Sequence, residues 1–209
     1  MKLHGYFRSS AAYRVRIALG LKGLEVGQAF HVRKGEQRAP DYLVLNPQGL
    51  VPVLETDTGA LTQSLAILEW LDETYPEPAL LPKANPFVRA QVRAFALAIA
   101  CDIHPLQNLR VLARLKEIGL NAAAQEAWPR WVVGDGLAAC EQLLVGQTGP
   151  FCFGATPTIA DICLVPQMGS ARRFNVDITG FPRLRAAEAA CLALPAFTAA
   201  APDKQPDAE

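Results

Sequence analysis

The sequence predicts an α+β/α chain in two parts: a βαβ-ββα domain over residues 1–81, a proline-rich linker over 82–87 and an all-helical domain over 88–209. Three observations carry this reading. Short apolar segments alternate with helical runs over the first 80 or so residues, and Pro76, Pro78, Pro82 and Pro86 fall within eleven residues. Beyond Val88 nearly every apolar run has helical spacing.

The first short apolar segment is Lys2 to Tyr6, the first helical run is Ala11 to Leu21, and the second short segment lies near Gly27 to Val32. In the helical run Val15, Ala18 and Leu19 stand at i, i+3 and i+4, with Arg14 and Arg16 flanking the stripe. Ser9 and Ser10 stand where an N-cap belongs, so the helix should start at the serine pair. Val51-Pro52-Val53-Leu54 is strand-like, but proline has no N–H for a sheet ladder and requires an edge position or a special turn. A turn around Thr56 to Gly59 leads to a short strand near Ala60 to Thr62. Gln63-Ser64 then opens a helix with Leu65, Leu68, Leu71 and Tyr75 at near-helical spacing, and Ser64 is its natural N-cap. Four prolines in eleven residues rule out a helix interior, which places the linker. Helical runs are expected at 88–103, 105–118, 123–144, 158–174 and 182–200. Thr158-Ile-Ala-Asp161 has the form of a capping box, and the tail PDKQPDAE reads as frayed.

Composition narrows the function classes. The chain has 209 residues, 51% of them hydrophobic, and its 20 basic and 20 acidic side chains leave no net charge to draw nucleic acid or an anionic membrane. The first residues carry no long apolar run, and no stretch reaches the length of a membrane span, which argues against export and insertion. Five cysteines (Cys101, Cys140, Cys152, Cys163 and Cys191) form an odd set without a C-x-x-C pair and read as reduced, mostly buried thiols. His4, His31 and His104 share no metal-ligand spacing with one another or with these cysteines, so no metal is expected.

In order and content these elements resemble the glutathione transferase architecture, whose first domain is thioredoxin-like. The stretch FRSSAAYRVRIALGLKG is similar to the zeta-class signature S-S-C-x-W-R-V-R-I-A-L. NPQGLVP, QSLAILEWL, CDIHP, IHPLQNLRVL, TIADICLVPQ and the closing QPD fall where that class has near-identical segments, so the likeness covers essentially the whole chain. The resemblance implies a cytoplasmic homodimer that uses glutathione to isomerise a maleyl keto acid, maleylpyruvate or maleylacetoacetate, to its fumaryl isomer in aromatic or tyrosine catabolism. In one respect the chain departs from the signature: Ala11 stands at the cysteine position and Tyr13 at the tryptophan position. Any mechanism that needs that cysteine is excluded.

Glutathione is a thiol with two carboxylates, and a site for it needs thiolate stabilisation at one end and anion capture at the other. An isolated Ser-Ser pair before an apolar run is most often only a cap. Here Ser9 and Ser10 open a helix whose free N–H groups and positive dipole end favour a thiolate, and a hydroxyl can donate to sulfur. The family pattern puts the catalytic hydroxyl at Ser9, with Ser10 and Ala11 beside it. Gln63 and Ser64 give a second helix start, suited to the γ-glutamyl carboxylate. Val51 and Pro52 resemble the superfamily's cis-proline turn, which would present the Val51 backbone to the cysteinyl unit. By the same resemblance Gln37 reaches the glycyl end, and His104 and Asn108 approach from the helical domain. The substrates are dianions, which arginine forks suit. Arg8, Arg110 and Arg173 lie in matching segments and form a candidate dicarboxylate clamp, although any one of them alone would read as a solvated surface residue.

Two other readings compete. A general glutathione transferase would conjugate electrophilic or halogenated molecules with the same thiol site, but would gain little from Arg110 and Arg173. A docking module built on the fold would have no need to keep Ser9 or the Gln63-Ser64 pair.

Overall fold

The computed structural model describes residues 1–32, 35–83 and 85–208. They form two compact units. One is built from Met1–Leu80 together with the C-terminal stretch from Leu192, and the other is Leu81–Cys191.

The first unit holds a four-stranded sheet of order β2-β1-β3-β4, with β1 (Lys2–Gly5), β2 (Gly27–Phe30), β3 (Val53–Thr56) and β4 (Gly59–Thr62). β1 runs parallel to β2, and β3 is antiparallel to both β1 and β4. Pro52 lies just before β3, in a cis Val51–Pro52 peptide, so β3 can be an internal strand without a proline inside its ladder. Of the two expectations for this proline, the structure has the special turn.

Helix α1 (Ser10–Leu21) begins at the serine pair with Ser9 as N-cap. Val15, Ala18 and Leu19 are buried as the spacing predicts. Arg14 and Arg16, expected to flank the stripe, are buried too, because α1 is covered on more than one side. Arg16 donates to the carbonyls of Ala200 and Phe7 (2.9 and 3.1 Å), and burial pulls its pKa down to about 10. The short helix α2 (Pro40–Leu45), which the sequence reading did not foresee, precedes β3. Helix α3 (Ser64–Thr74) buries Ser64, Ile67, Leu68, Leu71 and Asp72, while Leu65 and Tyr75 are only half-buried. Its N-cap is Gln63 and not Ser64, which is the first helical residue.

The second unit is helical: α4 (Pro86–Leu97), α5 (Leu109–Glu117), α6 (Ala122–Leu143), α7 (Ile159–Arg173) and α8 (Pro182–Leu192), whose last residue crosses the unit boundary. A π-helical turn (Ala98–Ile103) and a 3-10 turn (His104–Gln107) interrupt the expected runs 88–103 and 105–118. α4 starts at Pro86, within the expected linker, with Asn85 as its N-cap. Leu80 and Leu81, at the division between the units, are both buried. The capping box is present: Asp161, fully buried, accepts from the backbone N–H of Cys152 and Thr158, both at 2.8 Å, and from the Thr158 hydroxyl at 3.0 Å. Burial raises its pKa while these donors lower it, and burial prevails. The five cysteines are free thiols. Only Cys101 is exposed, and burial pushes Cys140 up to about 12.

The C-terminal stretch corrects two expectations. The run 182–200 is broken by Pro195 into α8 and a short α9 (Pro195–Ala199), and from Leu192 the chain belongs to the first unit instead of the helical one. The reason is a set of contacts with α1. Tyr13 donates to the Phe197 carbonyl (2.9 Å), Arg16 reaches Ala200, and Gly20 allows Ala196 close approach. Nor is the tail frayed. Gln205 is buried and donates to the Ala199 and Ala201 carbonyls, and the Asp207 carboxylate accepts from Phe7 N–H at 2.9 Å. Among the described residues no helix is long and apolar enough to cross a membrane.

Candidate functional site

In the first unit, Arg8 is exposed in the turn between β1 and α1, and Ser9 and Ser10, both half-buried, start the helix. Ser9 Oγ accepts from Ala12 N–H at 3.2 Å. A serine hydroxyl has two acceptor lone pairs and one donor proton, so this cap leaves the proton available. Ser9 N–H is itself held by the Tyr6 carbonyl (3.0 Å), which fixes the serine at the mouth of the helix. Ala11 is buried and its side chain supplies no polar atom.

A connected set of contacts runs from Gln37 to Ser64. Gln37, in the 3-10 turn Glu36–Arg38, packs on Gly49, where φ is +61° and a Cβ would stand 3.0 Å from the Gln37 carbonyl oxygen. The Gln37 Oε1 atom is buried and has no partner among the described residues. Tyr42 and Asn46 both donate to the Leu50 carbonyl (2.8 and 2.7 Å), setting the loop that delivers Val51 and cis Pro52. Gln48, next to Gly49, accepts from Gln63 Nε2 at 2.8 Å, and Gln63 holds a left-handed φ of +67° that a non-glycine residue rarely adopts. Ser64 follows, buried, with its hydroxyl accepting from Arg14 at 3.2 Å. Sequence reasoning singled out neither Gln48 nor Arg14. Nothing local marks Arg14, because its partner Ser64 lies fifty residues along the chain.

The remaining predicted residues lie in the second unit. His104, half-buried, begins the 3-10 turn that follows the π-helical turn, a feature frequent at functional sites. Asn108 caps α5, accepting from Arg110 N–H at 3.1 Å, and Arg110 is exposed on the first turn of that helix. Arg173, also exposed, ends α7 with its guanidinium over the Phe174 ring, 4.8 Å from the centroid. Asn108 therefore has a structural role that the sequence reading did not assign to it.

Residues 8–74 match the family model for the glutathione S-transferase N-terminal domain. The chain is 49% identical to a maleylpyruvate isomerase from Ralstonia sp. over 99% of each chain. It is also 48% identical, with a TM-score of 0.96 over the full length of both chains, to the holo structure of a maleylpyruvate isomerase described as a bacterial glutathione S-transferase of the zeta class. The chain belongs to the zeta class of glutathione transferases. A third likeness is to a maleylacetoacetate isomerase from Methylobacterium extorquens solved with malonate and glutathione bound, at 40% identity and a TM-score of 0.95 over both full chains. The first unit of this zeta-class chain, with its mixed sheet and flanking α1 and α3, is thus the thioredoxin-like domain of the family.

Proposed function

We propose that this protein is a glutathione-dependent cis–trans isomerase that converts maleylpyruvate or maleylacetoacetate to the fumaryl isomer. The observation that carries the reading is a full-length likeness to a maleylpyruvate isomerase in a chain that keeps a serine hydroxyl, with its proton unspent, at the capped start of α1. The described residues fit glutathione: the Ser9 hydroxyl suits a thiolate, the start of α3 suits a carboxylate, and the orphaned Gln37 Oε1 suits an N–H donor.

When bound, glutathione supplies a nucleophilic sulfur that lends the cis double bond single-bond character for rotation and is released unchanged. Ser9 donates its proton to that sulfur as a hydrogen bond, and the N-terminal end of α1 adds its positive field; both favour the thiolate over a thiol of ordinary pKa near 8.5. Ser10 and the Ala11 backbone shape the same helix mouth. Gln63 and Ser64 hold the γ-glutamyl carboxylate, Val51 and Pro52 the cysteinyl unit, and Gln37 the glycyl end. His104 and Asn108 contribute from the helical unit. Arg8 in the first unit, and Arg110 and Arg173 in the second, are the cations proposed to anchor the substrate carboxylates and to offset negative charge developing on the keto acid. The absence of the signature cysteine leaves Ser9 as the side chain in direct charge of the sulfur. The same reading makes the protein a cytoplasmic homodimer acting in aromatic or tyrosine catabolism.

The test is turnover of maleylpyruvate by Ser9→Ala, followed by ultraviolet absorbance with glutathione present. Loss of at least about a hundredfold in kcat is expected, as for removal of one preorganised donor. Near-native turnover would remove Ser9 from its role.

A further inference from the structure

We propose that Arg14 is the buried cation of the carboxylate site at the start of α3, holding the Ser64 hydroxyl so that its proton is delivered to the γ-glutamyl carboxylate of glutathione. The inference rests on the function proposed above and deepens it.

The first observation is an unbalanced charge. Arg14 is 1% exposed, midway along α1, and its Nη1 donates to Ser64 Oγ at 3.2 Å. Its Nε and Nη2 have no partner, and among the described residues no carboxylate pairs with it. A guanidinium keeps its proton in proteins, and burying one without a counter-charge is strongly unfavourable. Its neighbours on α1 are Tyr13 and Val15, so an aliphatic residue would be at home there.

The second observation is the helix it touches. Each other helix of eight or more residues has a side chain on the N–H groups of its first turn: Ser9 for α1, Asn85 for α4, Asn108 for α5, Asn121 for α6, Thr158 for α7 and Glu141 for α8. Among the described residues α3 has none. Its first N–H groups and positive dipole end face outward from Gln63, which is exposed.

Ser64 joins the two. Its oxygen accepts from Arg14, which leaves its single proton without an acceptor among the described residues. A buried cation, a hydroxyl with a proton to give and an uncapped helix start converge on one chemistry, that of an anion. Arg14 does not touch the reacting atoms; it is a positioning residue, and its effect is on binding.

The experiment is isothermal titration of the full chain with two probes: glutathione, and 4-aminobutanoyl-cysteinylglycine, which lacks only the γ-glutamyl α-carboxylate. The native protein should prefer glutathione by at least about tenfold. Arg14→Gln should weaken glutathione about 10- to 100-fold and leave the analogue unchanged. Arg14→Lys should restore part of the preference, and adding Arg14→Gln to Ser64→Ala should cost little beyond Ser64→Ala alone. In turnover, Arg14→Gln should raise KM for glutathione while kcat at saturation is kept. An unchanged preference in Arg14→Gln, or equal weakening of both probes, would overturn the proposal. If Arg14→Gln does not fold, Ser64→Ala with an undiminished preference, or Arg14→Lys with none, overturns it instead. A native protein that binds glutathione with this preference yet fails to isomerise maleyl acids would sink the proposed function alone; one that binds neither probe would sink both.

Discussion

Asp161→Ala should cost more stability than any single loss of a cap elsewhere in the molecule. The carboxylate is completely buried and accepts two backbone N–H bonds at 2.8 Å, from Cys152 and Thr158, besides the Thr158 hydroxyl. Alanine would strand two buried donors, the Cys152 N–H and the Thr158 N–H that closes the capping box, at about 1–3 kcal/mol each. The sum is roughly 2–6 kcal/mol against a typical total of about 5–15. For a chain of this size each kcal/mol moves the midpoint by about 2–4 °C, so thermal unfolding followed by circular dichroism should show a fall of at least about 4 °C. Thr158→Ala, which strands only the Ala160 N–H that the hydroxyl accepts from at 3.3 Å, should lose about 1–2 kcal/mol. A midpoint for Asp161→Ala within about 2 °C of the native one would refute the reasoning, since it would mean that neither stranded donor matters.

Three further outcomes are expected. Asp207→Ala removes the acceptor of Phe7 N–H, next to Arg8 and Ser9, and should lower stability by about 1.5–3 kcal/mol in urea unfolding, with a loss of turnover. Unchanged unfolding would return the tail to the frayed state first expected. His4 and His31 approach at 3.0 Å between ring nitrogens, with Glu55 3.4 Å from His4 and Lys2, Glu36, Asp41 and Tyr42 around the pair. Burial lowers both pKa values from 6.5, with Lys2 adding to the effect on His4 and His4 to that on His31, so the folded state binds fewer protons than the unfolded one. Stability should therefore be full above about pH 6.5 and fall as pH drops through the lowered values. His31→Gln should flatten that slope in melting points taken between roughly pH 7.5 and 5, and an unchanged slope would count against it. Gly136→Ala would drive a Cβ into the Ile103 side chain at the end of the π-helical turn, so it should destabilise by about 1–3 kcal/mol in thermal melts despite the better helix former. Ile103→Ala in the same chain should relieve part of that loss.

What the sequence disclosed, and what it withheld, follows from where the forces are local. The start of α1 was legible because a cap and an apolar stripe at helical spacing are both short-range signals, and the capping box at Thr158 was legible for the same reason. The burial of Arg14 and Arg16 was not. Their partners are Ser64, fifty residues away, and the Ala200 carbonyl, still further off. The tail misled for a similar reason: PDKQPDAE is polar and proline-rich, yet Gln205 and Asp207 spend their polarity on backbone groups of the first unit. Ser64 looked like a cap because capping residues are short and polar; the side chain is instead turned to Arg14, and Gln63 takes the cap position at a positive φ. At Pro52 the sequence offered an edge strand or a turn, and only the register of β3 between β1 and β4 chose. Ser9, Ser10, Gln63 and Ser64 sit at helix starts that patterning could find, while Gln37, in a 3-10 turn, came from resemblance. Arg110 and Arg173 came from resemblance alone, since an exposed arginine has no local mark of function.

Glutathione, on the proposed function, assists the reaction and is not consumed by it. The direct measurement incubates the native protein with maleylpyruvate in large excess over glutathione and follows substrate absorbance, the fumaryl product and free thiol together. Many turnovers per glutathione with the thiol fully recovered is the predicted result. One glutathione lost for each substrate consumed, with a stable conjugate formed, would contradict the account and make the protein a conjugating transferase.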